Sequence, residues 1–314
     1  MSALQRLGII KENTTIEQDY SLTQEQTKDT FAFKWSKRDT YESEHFKSVC
    51  KKWLLERYCD HSPQQIEKWL EGDRKIIFDA GCGSGYTAAL LFGDYLKEHD
   101  YLGVDISNAV DIAKTRFQEM GYPGDFLQVS LLDLPIQDES IDIIYSEGVL
   151  HHTDSTCNSI QYLAKKLKLG GRFLFYVYAK KAVVREFTDD YIRHQLQNLT
   201  DEEAWEELKS ITKLGIVLGE LDQQIEIAED IPLLGIKKGK IDLQRFFYWN
   251  ICKLYYRPEF TLEEMNHVNF DWFRPLNCHR HTPEEVISFC EIADLNIEHL
   301  NIQESGITVV AQKR

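Results

Sequence analysis

Ile76-Ile77-Phe78-Asp79-Ala80-Gly81-Cys82-Gly83-Ser84-Gly85-Tyr86 is an apolar run of strand length that breaks into three alternate glycines and then into the helix-compatible segment from Thr87 to Leu96. It reads as a buried strand, a tight turn and a helix N-terminus. Glycine adopts dihedrals closed to other residues and has no Cβ to hold a ligand away, while a helix start aims N–H groups into the same space. Roughly twenty residues on, Tyr101-Leu102-Gly103-Val104-Asp105 reads as a second strand ending in a carboxylate, the spacing and type of acid that grips a ribose diol.

The glycines alternate instead of following the G-x-G-x-x-G order of dinucleotide folds, because Tyr86 stands where the last glycine would be. The stretch Asp79-Ala80-Gly81-Cys82-Gly83-Ser84-Gly85 resembles the first motif of the class I S-adenosylmethionine-dependent methyltransferases, and Asp105 resembles their ribose-binding acid. Ile141-Asp142-Ile143-Ile144-Tyr145-Ser146-Glu147-Gly148-Val149-Leu150-His151-His152 resembles their fourth-strand motif. The resemblance covers about residues 75 to 180 and resumes near 282. It implies an α/β, Rossmann-like seven-stranded methyltransferase sheet with its last strand antiparallel, and S-adenosyl-L-methionine as cofactor.

Length and composition set the class. A chain of 314 residues with 43% apolar content can bury a real core. No run approaches the roughly 18 apolar residues of a membrane span, and the polar start Met1 to Gln18 does not read as a signal segment, so a soluble, cytoplasmic protein is expected. Seven scattered cysteines without a C-x-x-C pair fit reduced thiols better than a disulfide frame. Lys and Arg number 36 against 51 Asp and Glu, a net charge of −15, which disfavours nucleic acid as a partner and leaves a small-molecule acceptor as the leading expectation. The oligomeric state is left open.

Along the chain, residues 1 to about 30 are polar, with Thr14, Thr15, Ser21, Thr23 and Thr27, and read as a flexible start that docks through Phe31, Phe33 and Trp35. Helical spacing from Glu42 to Trp69, broken at His61-Ser62-Pro63, gives an N-terminal cap over 1–74. Strands are expected at 125–129, 141–145 and 172–178, a helix from Ser155 to Leu167, and a helix opening on Thr282-Pro283 followed by a closing hairpin, Leu295 to Ile302 and Gly306 to Val310. The core is therefore assigned to 75–180 and 281–314. Between them, 181–280 reads as a helical insertion without a convincing strand, its helices at Val183 to Leu196, Glu202 to Leu214, Leu221 to Ala228 and Ile241 to Tyr256.

The resemblance assigns Asp79, Gly81, Cys82, Gly83, Gly85, Asp105, Ile106, Leu132, Asp133, Leu134 and Glu147 to the cofactor. Asp105 takes the ribose and Ile106 packs on the adenine. Asp133, with the backbone of Leu132 and Leu134, meets the exocyclic amine. Asp79 and the carbonyls of Gly81 and Glu147 fall near the methionyl group, and Cys82 reads as a small packing residue. Methyl transfer is an in-line displacement needing alignment, and a base when the acceptor is protonated. His151 and His152 are the candidates for that base, against a reading in which His152 only shapes its loop. Trp35, Arg38 and Tyr41 are candidate substrate contacts from the N-terminal side. His267, Asp271, Trp272, Arg274, His279 and His281 form a polar and aromatic cluster expected to act as a lid over the acceptor. The same cluster has metal-ligand types but no second paired element, so no metal is expected. The rival readings are an RNA- or protein-modifying methyltransferase, with Lys180, Lys181, Arg185, Lys237, Lys238 and Lys240 supplying a positive surface, and a protein that binds the cofactor without methyl transfer.

Overall fold

The run Ile76–Ala80 is strand β1, buried along its whole length, and it pairs in parallel on both sides, which is why all five residues are apolar or internally bonded. The computed structural model describes residues 2–9 and 20–314. Thr14, Thr15 and most of the polar start lie outside the described residues.

In chain order the elements are α1 (Ala3–Arg6), α2 (Leu22–Ser36), α3 (Glu44–Cys59), α4 (Gln64–Leu70), β1, α5 (Tyr86–Phe92), β2 (Asp100–Asp105), α6 (Ala109–Met120), β3 (Asp125–Gln128), β4 (Ile141–Glu147), α7 (Thr156–Lys166), β5 (Leu167–Tyr178), α8 (Val183–Leu196) and α9 (Asp201–Glu220). They continue with β6 (Gln224–Ile227), β7 (Gly239–Asp242), α10 (Leu243–Asn250), α11 (Leu262–Phe273), α12 (Pro283–Ile292), β8 (Leu295–Ile302) and β9 (Gly306–Lys313). Sequence punctuation sets several boundaries. Asp60 and His61 take positive φ between α3 and α4, at the expected break. Thr282 caps α12 in a reciprocal bond pair with Glu285, and Pro283 occupies its first turn.

The chain divides into two units. The first comprises the residues through Ser36, Lys47–Ala179 and Asn277–Arg314; the second comprises Lys37–Phe46 and Lys180–Leu276. In the first, seven strands run in the order β3-β2-β1-β4-β5-β9-β8, with β9 antiparallel to both neighbours. This is the α/β, Rossmann-like arrangement expected. Helix α6 packs on β2 and β3, α7 on β5, and α12 on β8. The core is apolar and fully buried at Phe78, Leu102, Ile144, Phe173, Phe175 and Val309. Each such side chain contributes about 1.5–3 kcal/mol of burial, so the sheet positions its loops rigidly. The carboxyl ends of β1, β2 and β4 lie side by side, the usual ligand edge of such a sheet.

Three expectations are corrected. Residues 22–36 form a helix, not a flexible start: Ser21 Oγ accepts from Gln24 N at 3.1 Å, and the helix is bonded into the first unit by its polar side chains. Residues 37–46 belong to the helical unit and not to the N-terminal cap, because Thr40 bonds His267 and Ser43 bonds Glu264 there. The insertion does contain strands: Gln224–Ile227 and Gly239–Asp242 form an antiparallel hairpin where Leu221 to Ala228 was expected to be helical. The alternation Gln224-Ile225-Glu226-Ile227 has the period of two that a strand requires.

Candidate functional site

The turn after β1 is fixed by the end of β2. Gly81 N and Cys82 N both donate to Val104 O, at 2.8 and 2.9 Å, and Gly83 N donates to Asp105 Oδ2 at 2.9 Å. These bonds hold φ at +84°, +49° and +68° at Gly81, Gly83 and Gly85, where a Cβ is strained. Space forbids one as well. A Cβ on Gly83 would lie 2.5 Å from Trp35 Nε1, and one on Gly81 would enter the Val149 side chain. The glycine backbone carries no side chain of its own on this side, and Trp35 and Val149 pack directly against it. Cys82 is buried against Gly103 with its thiol pushed well up by burial, as a packing residue.

Two acids flank the turn. Asp105 is buried; its Oδ1 accepts from Ser107 N and Oγ at 2.8 and 2.7 Å, and its Oδ2 accepts from Gly83. The side chain therefore closes the turn onto β2 as well as facing the cradle. Asp79 accepts from Tyr101 Oη at 2.7 Å. Burial pushes the Asp79 carboxyl up to about 7; the Tyr101 bond opposes this, and Asp105 and Glu147 add to it. An ammonium group needs the ionised form. Affinity for a ligand with an ammonium at Asp79 is expected to fall as pH drops from 7.5 to 5.5, about the Asp79 value near 7, in calorimetric titrations. The sign for stability is opposite. An unfolded carboxyl ionises near pH ~3.9, so the ligand-free fold pays for Asp79 increasingly as pH rises toward 7.

Glu147, at the end of β4, is held by Arg57 Nη2 at 2.5 Å and by Tyr58 Oη at 2.6 Å, both from α3, and the Arg57 guanidinium lies 4.3 Å from the Tyr176 ring centre. Its carboxylate is thus spent on α3, leaving its backbone for the role expected of it. On the side expected to hold the adenine, Leu134 N donates to Tyr162 Oη at 3.0 Å. Asp133 N donates to Ser130 O, and Leu132 is exposed. Ile106 is partly buried directly after Asp105, with its carbonyl held by Gln128.

Both candidate base histidines are enclosed. His151 is 0% exposed, with its ring centre 3.8 Å from that of Tyr178. His152 is also buried; its Nδ1 bonds Asn277 O at 2.6 Å, and its ring meets Phe31 edge-on at 4.8 Å. Neither ring opens to solvent in this conformation. The bond to Asn277 O fits the loop-shaping reading of His152 and leaves the base reading to be tested. His279 and His281 follow the same logic: His279 Nε2 bonds Thr153 O at 3.0 Å, and His281 Nε2 bonds Thr156 Oγ1 at 2.9 Å. Their backbones donate to His151 O and Tyr178 O. The strip 277–281 laces the β4 loop to the end of β5. His152→Ala is expected to lower the melting temperature while leaving cofactor affinity and the pH profile of turnover unchanged, as thermal unfolding and rate measurements would record.

The other expected substrate contacts lie in the helical unit and hold it together. Arg38 pairs with Glu42 at 2.7 Å, and Tyr41 is buried against the His267 ring. His267 Nδ1 bonds Thr40 Oγ1 at 2.8 Å, and Trp272 Nε1 donates to Asp189 at 2.8 Å. Arg274 pairs with Asp201 at 2.7 Å and donates to Leu199 O. Asp271, on α11, is half-buried beside them. Among the described residues, no group of three or more His, Cys, Asp or Glu side chains converges as for a metal ion. Arg57 and Tyr58 on α3, which hold Glu147 at this edge of the sheet, carry no signal of that role in the sequence.

Parts of this chain are similar to known proteins. A family profile described as "Methyltransferase domain" matches residues 78–175. Among curated proteins, the chain is similar to the uncharacterized methyltransferase YcgJ of Bacillus subtilis, 34% identical over 128 residues, covering 40% of this chain and 48% of that protein. It is also similar to the mouse tRNA (carboxymethyluridine(34)-5-O)-methyltransferase ALKBH8, 29% identical over 189 residues, covering 58% of this chain and 26% of that one. The tRNA U34 carboxymethyltransferase of Cellvibrio japonicus is 28% identical over 103 residues, 32% of this chain and 31% of that protein. The chain thus spans about half or less of these relatives. The solved structure of YcgJ aligns with a TM-score of 0.38 at 20% identity, covering 81% of this chain and 99% of that one.

Proposed function

We propose that this chain, whose residues 78–175 form a class I methyltransferase domain, transfers the methyl group of S-adenosylmethionine to an acceptor at the carboxyl edge of its sheet. The observation that carries this reading is the bared glycine turn, with Asp105 bonded to Gly83 on one side and Asp79 buried on the other. The cofactor supplies an activated methyl on a sulfonium. The residues present would hold its ends: Asp105 and Ile106 the adenosine, Asp79 and the Gly81 carbonyl the ammonium. Trp35 shields the turn from water, so that the acceptor meets the methyl in line.

For the acceptor, two readings have specific support. The relatives named as tRNA methyltransferases favour RNA over the small molecule expected from charge. Against RNA stand the net charge of −15 and the fate of the expected cations: Arg185 is buried in a pair with Asp189, and Lys237 pairs with Asp230. Incubation with labelled methyl donor, once with total RNA and once with a small-metabolite extract, separates them. Label in a modified nucleoside after digestion supports RNA, and label in the extract supports a small acceptor. No S-adenosylhomocysteine from either would contradict methyl transfer and favour a binding protein. Among the described residues no helix is long and apolar enough to cross a membrane, and we place the protein in the cytoplasm on the strength of its free cysteines.

A further inference from the structure

The two faces of the seven-stranded sheet differ in chemistry. Phe78, Ile144, Phe175 and Val309 share one face and belong to the apolar core. On the other face a polar row crosses five strands in register: Asp79 is opposite Tyr145, Glu147 opposite Tyr176, Tyr176 opposite Thr308, and Thr308 opposite Asn301. Registered partners share a face because side chains alternate along each strand. Helix α3 covers the β5–β9–β8 end of this row. Arg57 and Tyr58 hold Glu147, His299 Nε2 bonds Arg57 O at 2.7 Å, and Gln303 Nε2 donates to Glu56 Oε1 at 3.0 Å. Asn301 thus lies between two points at which β8 and its loop are tied to the helix.

Three polar atoms in this corner, Arg57 Nε, Thr308 Oγ1 and Asn301 Oδ1, are buried and bond to nothing among the described residues. Thr308 is 0% exposed. The Tyr176 ring, which the Arg57 guanidinium approaches to 4.3 Å, leans along β9 onto Gly306 and not onto Thr308: a Cβ on Gly306 would lie 2.3 Å from its Cε2. Buried polar atoms without partners are costly, and natural folds keep few of them without a use. Their types also select what satisfies them. Arg57 Nε only donates, Asn301 Oδ1 only accepts, and the threonine hydroxyl does either. A carboxylate cannot donate to Asn301, and an ammonium cannot accept from Arg57. A hydroxyl does both through one atom.

We propose that Arg57, Thr308 and Asn301 form a subsite, roofed by α3, that binds a hydroxyl group of the methyl acceptor. This inference rests on the methyl-transfer reading of the carboxyl edge. Strand β9 is three places from β1 in the sheet, so the subsite lies about 14 Å along the sheet from the glycine turn, at about 4.8 Å per strand. That distance excludes acceptors of only a few atoms. It fits a hydroxylated molecule whose anchoring hydroxyl is remote from the atom that takes the methyl, and the anchor then aligns that atom.

Thr308→Val removes the hydroxyl and keeps the shape of the side chain. Initial rates are measured on the full chain with labelled methyl donor, titrating whichever of total RNA and small-metabolite extract takes up label. The half-saturating amount of that pool is expected to rise roughly 3- to 10-fold, the worth of one neutral hydrogen bond, with the maximal rate unchanged. Calorimetry with S-adenosylhomocysteine should show wild-type affinity, which certifies the fold, and Thr308→Ser is expected to recover most of the loss. Wild-type half-saturation in Thr308→Val would overturn the subsite. An equal fall in S-adenosylhomocysteine affinity would do so too, by making Thr308 a structural residue. A crystal structure with the methylated product in which water alone bonds the three atoms would assign them to solvent and overturn it as well. Wild-type protein that labels neither pool would contradict methyl transfer itself, and this inference with it.

Discussion

Gly83→Val is expected to abolish cofactor binding. A β-branched residue at φ +49° is forced into left-handed backbone, and its Cβ would lie 2.5 Å from Trp35 Nε1. The turn cannot relax to avoid this, because Gly83 N is bonded to Asp105 and the amides of Gly81 and Cys82 are bonded to Val104 O. The expected loss is roughly 100-fold or more in affinity for S-adenosylhomocysteine, about 3 kcal/mol at 1.4 kcal/mol per decade. Gly121→Val separates strain from obstruction. Its φ is +68°, and a Cβ there meets nothing within 4 Å. It should lose stability with affinity intact, as calorimetry and thermal unfolding of the pair would read.

Asp105→Ala is expected to cost both stability and affinity. An acid that only held the ribose could be replaced with the fold intact. Three accepted bonds change that, because the alanine would strand the buried amides of Gly83 and Ser107 as well as removing an acceptor for the ribose. Each stranded group costs about 1–3 kcal/mol. Chemical denaturation should therefore show a loss of roughly 2–5 kcal/mol on this basis, and affinity should fall further in protein that is still folded. Asp105→Asn keeps one acceptor oxygen and is expected to fall between. Unchanged stability with unchanged affinity would mean that Asp105 neither closes the turn nor faces the ligand.

What the chain revealed of itself depended on where the partners of each residue lie. The β1 turn and β2 were legible because a continuous apolar run, alternating glycines and a terminal acid are all local signals. Helix α2 was not legible, since its buried face is Thr27, Thr30 and Lys34 and leaves no apolar stripe to detect. The hairpin of β6 and β7 was legible and passed over, because the helical stretches around it outweighed four alternating residues. The histidines could not be assigned from their own neighbourhood. The partner of His152 is a carbonyl 125 residues away, and that of His281 is Thr156, also 125 residues distant. Residue types suited to catalysis also tie loops here.

A crystal structure of the protein grown with S-adenosylhomocysteine tests the cofactor cradle most directly. The ribose is expected beside Asp105, and the amino acid at Gly81 and Gly83 with the Trp35 indole shifted off Gly83 to admit it, its ammonium at Asp79. Density for the ligand elsewhere, or a glycine turn left empty at saturating ligand, would contradict the assignment.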